Sequence, residues 1–290
     1  MRLLVFISAS KWVKTFLKNL PMKQVHHYSH HGRHRNKISF VRRLHLLVVL
    51  PVALVLCASV VFGLEFDQRI FTHIPWGLLL LQLTATFLRL FIAYALSVVC
   101  AIPLALWTQK SRRAEEFLLP VFDVLESFPM LAFFPVIVIF FIDIGYLNLA
   151  AVVMLFITML WSIVFNLVSG LKAIPRDVFS VAKMFHIGGL RYLLDILFPA
   201  LFPSFVTGSI LAWAGGWNII IVAEVLHAYV PSGVEVADLF GIGSALVSAS
   251  TSGDKALFIA AISIIVTAIM LLNFFVWQKL LHFAERFKFE

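Results

Sequence analysis

The chain has 290 residues, of which 61% are hydrophobic and 13% carry a charged side chain. Because soluble domains carry charge on about a quarter of their residues, this composition excludes an ordinary soluble protein and predicts a polytopic membrane protein. The formal net charge of +8 is explained below by membrane topology, and we expect no nucleic-acid partner.

Residues 1–43 form a basic, histidine-rich segment. In "SKWVKTFLKNL" the apolar residues fall on one helical face and the lysines on another, which predicts a helix lying on an anionic leaflet, with membrane lipid as its partner. The short apolar start fits a cleaved signal peptide poorly. For the linker that follows we favour a solvated segment over a metal site. Its histidines are His26, His27, His30, His31 and His34.

Six apolar runs predict six transmembrane helices and therefore an all-α membrane fold. Each run has roughly the 20 or more residues that a helix needs to cross the hydrocarbon core. Pro129 and Pro135 interrupt the third run and predict kinks there. We assign a transmembrane domain to residues 44–282 and a short cytoplasmic tail to residues 283–290. The six runs are 44–64, 78–107, 117–142, 147–170, 199–226 and 256–282.

The basic residues set the orientation, because Lys and Arg accumulate in cytoplasmic loops. With the N-terminus on the cytoplasmic side, all but three of the 23 basic residues lie in cytoplasmic segments. The exceptions are Arg69, Arg89 and Lys255. Both termini are therefore predicted to be cytoplasmic, and so is the loop of residues 171–198.

This cytoplasmic loop contains an amphipathic pattern. From Asp177 onward, four apolar residues follow the i, i+3, i+4, i+7 spacing of one helical face: Val178, Val181, Ala182 and Phe185. Gly188 and Gly189 supply a stop or bend after this helix. Two interpretations are open: the helix packs on lipid headgroups, or its apolar face is the surface that a cytoplasmic partner binds.

The loop and the spans around it resemble the permease subunits of ATP-binding cassette (ABC) importers, above all those for nitrate, sulfonate, taurine and related anions. The loop's apolar return and "FPALFPSFVTG" carry the resemblance, together with "LTATFLRLFIAYALSVVCAIPLALW" and "LLPVFDVLESFPMLAFFPVIVIFF" before the loop and "LAWAGGWNIIIVAEVL" after it. The resemblance covers roughly residues 78–282. It implies a type I importer permease fold in a bacterial inner membrane.

The loop motif of such permeases reads Glu-Ala-Ala, three residues and Gly. Aligned on Pro199, this chain has Ser180, Val181 and Ala182 at the first three positions and His186 at the glycine position. The resemblance implies that segment 177–190 lies in a groove of a separate ATPase subunit. The coupling residues it implies are Val178, Val181, Ala182, Phe185, His186 and Gly188.

The chain contains no Gly-Lys dipeptide, so it cannot carry the phosphate-binding loop G-x-x-x-x-G-K-[ST]. We therefore expect no cofactor in this chain, and ATP and Mg²⁺ in a partner subunit. The resemblance implies three kinds of partner: nucleotide-binding ATPase subunits, a second permease copy forming a homodimer, and an extracytoplasmic solute-binding protein.

Polar groups inside apolar runs are candidates for the translocation pathway, because they are costly in lipid. These are Arg89, Ser209, Asn218 and Glu224. Arg89 and Glu224 could form a structural pair, or Arg89 could attract an anion that an exposed Glu224 would repel. The small residues around Gly215 favour close helix packing over lining a passage. Ahead of the last span, "FGIGSALVSAS" predicts a re-entrant or surface helix.

These features predict the permease subunit of an ATP-driven importer for a small anion of the nitrate, sulfonate, taurine or bicarbonate type. No nucleophile–base pair, paired carboxylates or metal-ligand spacing emerges, and both cysteines, Cys57 and Cys100, lie in apolar runs, so we assign no catalytic or metal residues. One alternative is a secondary transporter or channel driven by an ion gradient, with Arg89 and Glu224 as its relay. Another is a membrane scaffold that transports nothing.

Overall fold

The computed structural model describes residues 74–110, 112–127, 129–230 and 236–287. Its regular structure is helical throughout, and no β-strand occurs within these ranges. The predicted N-terminal segment 1–43 and the predicted first span 44–64 lie outside the described residues, as do both the histidine-rich linker and Cys57.

Nine α-helices of seven or more residues, and one of three residues at Gly189–Arg191, form the described part of the chain. Four helical runs are long and apolar enough to cross a membrane: Trp76–Gln109, Leu147–Ala173, Tyr192–Glu224 and Lys255–Phe287. They correspond to the second, fourth, fifth and sixth predicted spans. The helices are α1 (Trp76–Lys110), α2 (Arg112–Glu126), α3 (Met130–Ile144), α4 (Leu147–Ala173), α5 (Arg176–Met184), α6 (Phe198–Glu224), α7 (Ile242–Ser252), α8 (Lys255–Leu272) and α9 (Gln278–Ala284).

The third predicted span is broken into two helices. α2 ends at Glu126 and α3 begins after Pro129, and the two helices meet at 82°. Proline has no N–H to donate and disfavours helical geometry in the residue before it, which explains a helix boundary at this point. Pro135 lies inside α3, which continues through it. Counted as one bent element, the pair is a fifth candidate span in the described chain.

The centre of the bundle is α4, which packs along α6 and along α1. Glycine makes the closest approach between α4 and α6 possible. A Cβ added at Gly208 would lie 2.9 Å from the Cβ of Asn166 and 3.1 Å from the carbonyl oxygen of Ser162. Small residues in the fifth predicted span thus serve helix packing.

Two helical runs extend beyond the predicted spans. The chain is helical without interruption from residue 189 through a π-helical turn at Tyr192–Leu197 to the end of α6. The last run continues to Phe287, where the ring of Phe287 packs 5.7 Å from that of Phe202 on α6. The predicted tail 283–290 is therefore helical as far as the structure describes it.

Candidate functional site

The first candidate region is the loop between α4 and α6, which is tied to the bundle at its start. Lys172, near the end of α4, forms an ion pair with Glu115 of α2, with 2.9 Å between Nζ and Oε1. Pro175 then ends the span, and its carbonyl accepts a hydrogen bond from Val178 in the first turn of α5. The nine-residue helix α5 lies within the segment where the sequence predicts an amphipathic helix.

The predicted apolar face of α5 is divided between two environments. Ala182 is 2% exposed and Val178 packs against the main core, so both face the bundle. At the C-terminal end, Met184 and Phe185 are 77% and 59% exposed. Val181 lies in the same helix, but its side chain is outside the described set. Among the side chains that the structure describes, the exposed apolar ones therefore lie at the C-terminal end of α5.

A left-handed residue ends α5. The N–H of Ile187 donates to the carbonyl of Ala182 at 3.0 Å, and His186 between them has a φ of 52°. This is the Schellman arrangement of a helix C-terminus, in which a residue with positive φ, usually glycine, follows the helix. His186 occupies the position where the permeases that this chain resembles have glycine. The left-handed conformation explains why glycine is usual at that position.

The sequence predicts a stop or bend at Gly188 and Gly189, and the structure places left-handed residues at Gly189 and at His186 but not at Gly188. Gly188 is extended, with φ −134° and ψ 176°, while the left-handed conformations belong to His186 and to Gly189, which has a φ of 61°. At these two residues the backbone leaves the helical path, because the αL conformation turns it away from that path. Helical structure resumes at Gly189 and leads directly into α6.

The second candidate region is a buried ion pair at the other end of α6. The Nη1 atom of Arg89 lies 2.7 Å from Oε1 of Glu224. The hydroxyl of Thr86 donates to the same oxygen at 2.7 Å, and the N–H of Gly243 donates to Oε2 at 2.8 Å. Arg89 is 8% exposed and Glu224 is 0% exposed. Glu224 is therefore buried within the bundle.

Three further hydrogen bonds engage Nε and Nη2 of Arg89. Nε and Nη2 donate to Oδ1 of Asn148 at 3.0 and 2.9 Å, and Nη2 donates to the carbonyl of Phe240 at 3.0 Å. A guanidinium held by this many protein acceptors and neutralised by a buried carboxylate has little capacity left for a solute. The geometry favours the structural alternative for this pair over direct anion binding by Arg89.

Two glycines allow α7 to approach this carboxylate. A Cβ at Gly241 would collide with the carboxylate of Glu224, and one at Gly243 would lie 2.7 Å from Cα of Ile221. The N–H of Ile242 donates to the hydroxyl of Thr86 at 3.0 Å. The pattern "FGIGS" is thus explained by backbone contact with a buried acid. Sequence reasoning missed Thr86 and Asn148, and the only signal was this closely spaced pair of glycines.

The two uncharged pathway candidates on α6 have opposite surroundings. Ser209 is buried, accepts a hydrogen bond from the hydroxyl of Tyr94 at 2.8 Å and donates to the carbonyl of Phe205. Asn218 is exposed at the bundle surface. It belongs to an exposed stripe of α6 at helical spacing, formed by Thr207, Leu211, Ala214 and Asn218.

Within the described part of the chain, no three His, Cys, Asp or Glu side chains lie close enough together to hold a metal ion.

Comparison with known proteins identifies the family. Residues 93–284 match the profile of the binding-protein-dependent transport system inner membrane component. The chain belongs to this family. The expected kinship with ABC importer permeases and the all-α permease fold are thereby confirmed.

Several curated relatives carry names that state a transport role. A nitrate import permease protein of Leptolyngbya laminosa is 32% identical over 163 residues, covering 56% of this chain and 57% of the relative. A bicarbonate transport system permease protein of Synechococcus elongatus is 28% identical over 145 residues, covering 50% and 51%. A probable ABC transporter permease protein of Haemophilus influenzae is 28% identical over 207 residues, covering 71% and 78%. The chain thus spans little more than half the length of the first two.

Proposed function

We propose that this chain is the membrane-spanning subunit of an ABC importer for a small anion of the nitrate or bicarbonate type. Membership of the family carries the importer assignment. The anion class is supported by the names of the nitrate and bicarbonate permeases to which the chain is similar. ATP and Mg²⁺ belong to a separate ATPase subunit, because the chain lacks the Gly-Lys of a phosphate-binding loop.

The observation that carries the coupling to ATP is the geometry of α5. Its exposed end presents Met184 and Phe185 outside the bundle, while Ala182 is packed inside it. A partner that binds the exposed end of α5 would therefore move a helix that is packed against the transmembrane helices. Because the chain is helical from residue 189 to the end of α6, such a movement passes into a membrane-spanning helix with only a short turn between.

The translocation pathway is proposed to run between this bundle and a second permease copy. The exposed stripe of α6 supports this assignment, because the polar amide of Asn218 is placed poorly against lipid. The amide of Asn218 can donate hydrogen bonds to an anion. Arg89, by contrast, is engaged within the protein, so selectivity on this pathway rests on neutral donors.

The orientation follows from charge placement. We place both termini and α5 on the cytoplasmic side of a bacterial inner membrane, and α7 on the opposite side, where a solute-binding protein would deliver the anion. The rival mechanism, a gradient-driven transporter with Arg89 and Glu224 as its relay, requires solvent access to Glu224. The 0% exposure of Glu224 argues against that mechanism.

The test is purification of the tagged chain in mild detergent with its associated proteins, followed by reconstitution into liposomes. We expect an ATPase to co-purify and nitrate or bicarbonate uptake to require ATP. Uptake that follows an imposed ion gradient without ATP would replace this proposal by the gradient-driven transporter. A folded chain that moves neither anion under either driving force would favour the scaffold.

A further inference from the structure

The proposed function makes no use of the buried ion pair and of the two side chains that bind it. We call this set the latch: Thr86, Arg89, Asn148 and Glu224. The latch joins α1, which contributes Thr86 and Arg89, to α4 through Asn148 and to α6 through Glu224. It also binds the start of α7 through the backbone N–H groups of Ile242 and Gly243. Four helices therefore meet at one carboxylate and its partners.

The N-terminus of α7 depends on the latch for its hydrogen bonds, because α7 supplies no cap of its own. Its N-cap residue is Gly241, which has no side chain that could accept hydrogen bonds from the first turn. Helix N-termini leave such donors unsatisfied, and here Thr86 and Glu224 accept them from other helices. A carboxylate at a helix N-terminus is further favoured by the helix dipole.

Glu224 is in turn unfavourably placed with respect to its own helix. It is the last residue of α6, where the helix dipole disfavours negative charge. Arg89 and the N-terminus of α7 compensate this placement. Because Gly241 and Gly243 leave no room for a side chain between the two helices, a displacement of Glu224 displaces the start of α7 as well.

Glu224 ends the helical run that begins beside α5. The run from residue 189 to residue 224 is about 50 Å long at the usual helical rise. One end follows the turn at His186, and the other holds the carboxylate on which α7 rests. A displacement applied at α5 therefore arrives at α7 through the carboxylate of Glu224 and through its backbone, whose carbonyl accepts a hydrogen bond from the N–H of Leu239 at 2.9 Å.

We propose that Glu224, positioned by Arg89 and Thr86, ties α7 to α6, so that α7 moves with α6 when the transporter changes access. The latch itself follows from contacts within this chain. The source of the movement rests on the proposed function, in which ATP drives α6 from the cytoplasmic side. The experiment below separates these two parts.

The attachment is measured by cysteine labelling of α7 in the full chain in lipid nanodiscs. Ala249 on α7 is 1% exposed, so a cysteine there reacts with a maleimide only when α7 separates from the bundle. Cys57 and Cys100 are replaced by Ala. Thr86→Val removes the hydroxyl that binds both Glu224 and Ile242. The matched control is Thr84→Val on the same helix, whose hydroxyl donates to the carbonyl of Leu81.

Thr86→Val is expected to raise the labelling rate about tenfold, since a buried hydrogen bond is lost on each side of the hydroxyl. Thr84→Val and Thr86→Ser, which keeps the hydroxyl, are expected to label at the original rate. Equal rates for Thr86→Val and Thr84→Val would overturn the latch. If Thr86→Val yields no folded protein, Thr86→Ala removes the same hydroxyl, leaves the ion pair of Arg89 and Glu224 in place and is read by the same two outcomes.

The movement is measured in the complex with the ATPase. Trapping the ATP-bound state is expected to change the labelling rate of the original chain and to leave that of Thr86→Val unchanged, with ATPase activity kept and uptake reduced. If the original chain takes up anion with ATP but its labelling rate is the same with and without ATP, the proposal that α7 moves is refuted. A complex without ATP-driven uptake would refute the proposed function, whereas the labelling result on the chain alone would still decide the latch.

Discussion

Arg89 and Glu224, which lie 135 positions apart in the chain, meet in a 2.7 Å ion pair inside the helix bundle. Their side chains are shielded from solvent, so each charge depends on the other and on the hydrogen bonds around the pair. This differs from the pair between Lys172 and Glu115, whose side chains are 52% and 39% exposed. The two pairs therefore offer a direct comparison of buried and exposed charge within one chain.

Loss of one member of the buried pair is expected to destabilise the fold strongly. Arg89→Ala or Glu224→Ala leaves an unpaired charge in the bundle, at a cost of about 3–5 kcal/mol, whereas the double change Arg89→Ala with Glu224→Ala should cost less than the two single changes together. Lys172→Ala should cost about 0–1 kcal/mol. Unfolding titrations in detergent measure all four variants. Additive single and double changes would show that the pair makes no net interaction.

A charge on the exposed end of α5 is expected to separate ATP hydrolysis from uptake. Phe185→Asp places a carboxylate on the surface proposed to contact the ATPase, and burying it there is unfavourable. The variant should remain in the membrane while ATP-driven uptake falls at least tenfold, as an order of magnitude. Tyr146→Asp introduces the same charge at an exposed aromatic residue just before α4, at the opposite end of that helix from α5, and is the control. Full uptake by Phe185→Asp would remove this surface from the coupling mechanism.

Substitutions at two polar residues of α6 are expected to distinguish a residue of the translocation pathway from one that serves helix packing. Asn218 is exposed, so Asn218→Leu should lower anion uptake while the free energy of unfolding stays within about 0.5 kcal/mol. Ser209→Ala removes the hydrogen bond from Tyr94 and should lower stability by about 1 kcal/mol with little effect on uptake per folded molecule. Uptake assays in liposomes and unfolding titrations give both quantities. The reverse pattern would place the pathway at Ser209.

The parts of this molecule that follow from local chemistry could be predicted from the sequence. Hydrophobic runs mark the spans because burial in lipid depends on each segment alone, and Pro129 marks the break before α3. The latch could be predicted only in part. Arg89 and Glu224 are conspicuous as charges in apolar runs, but a threonine in a span commonly bonds its own backbone, as Thr158 does with Met154. Only the folded chain distinguishes Thr86 from Thr158.

The ends of the helices likewise depend on contacts between distant residues, which the sequence alone does not show. The final run extends to Phe287 because its last turn packs against Phe202 of α6, a contact between residues distant in sequence. In α5, the periodicity of Val178, Ala182 and Phe185 correctly indicated a helix. It could not tell that the first two face the bundle while the third is exposed, since both surroundings favour apolar side chains.

His186 provides a test of the turn that ends α5. Its φ of 52° lies in the left-handed region, which a β-branched residue occupies at a much higher cost than glycine. His186→Val should therefore destabilise the turn by about 1–2 kcal/mol and reduce ATP-driven uptake. His186→Gly should retain uptake and be at least as stable as the original chain, because glycine adopts this conformation without strain. Gly188→Ala is the control, since Gly188 is extended and a Cβ there meets nothing within 4 Å. Equal stability of His186→Val and Gly188→Ala in unfolding titrations would show that the left-handed turn contributes nothing to the coupling segment.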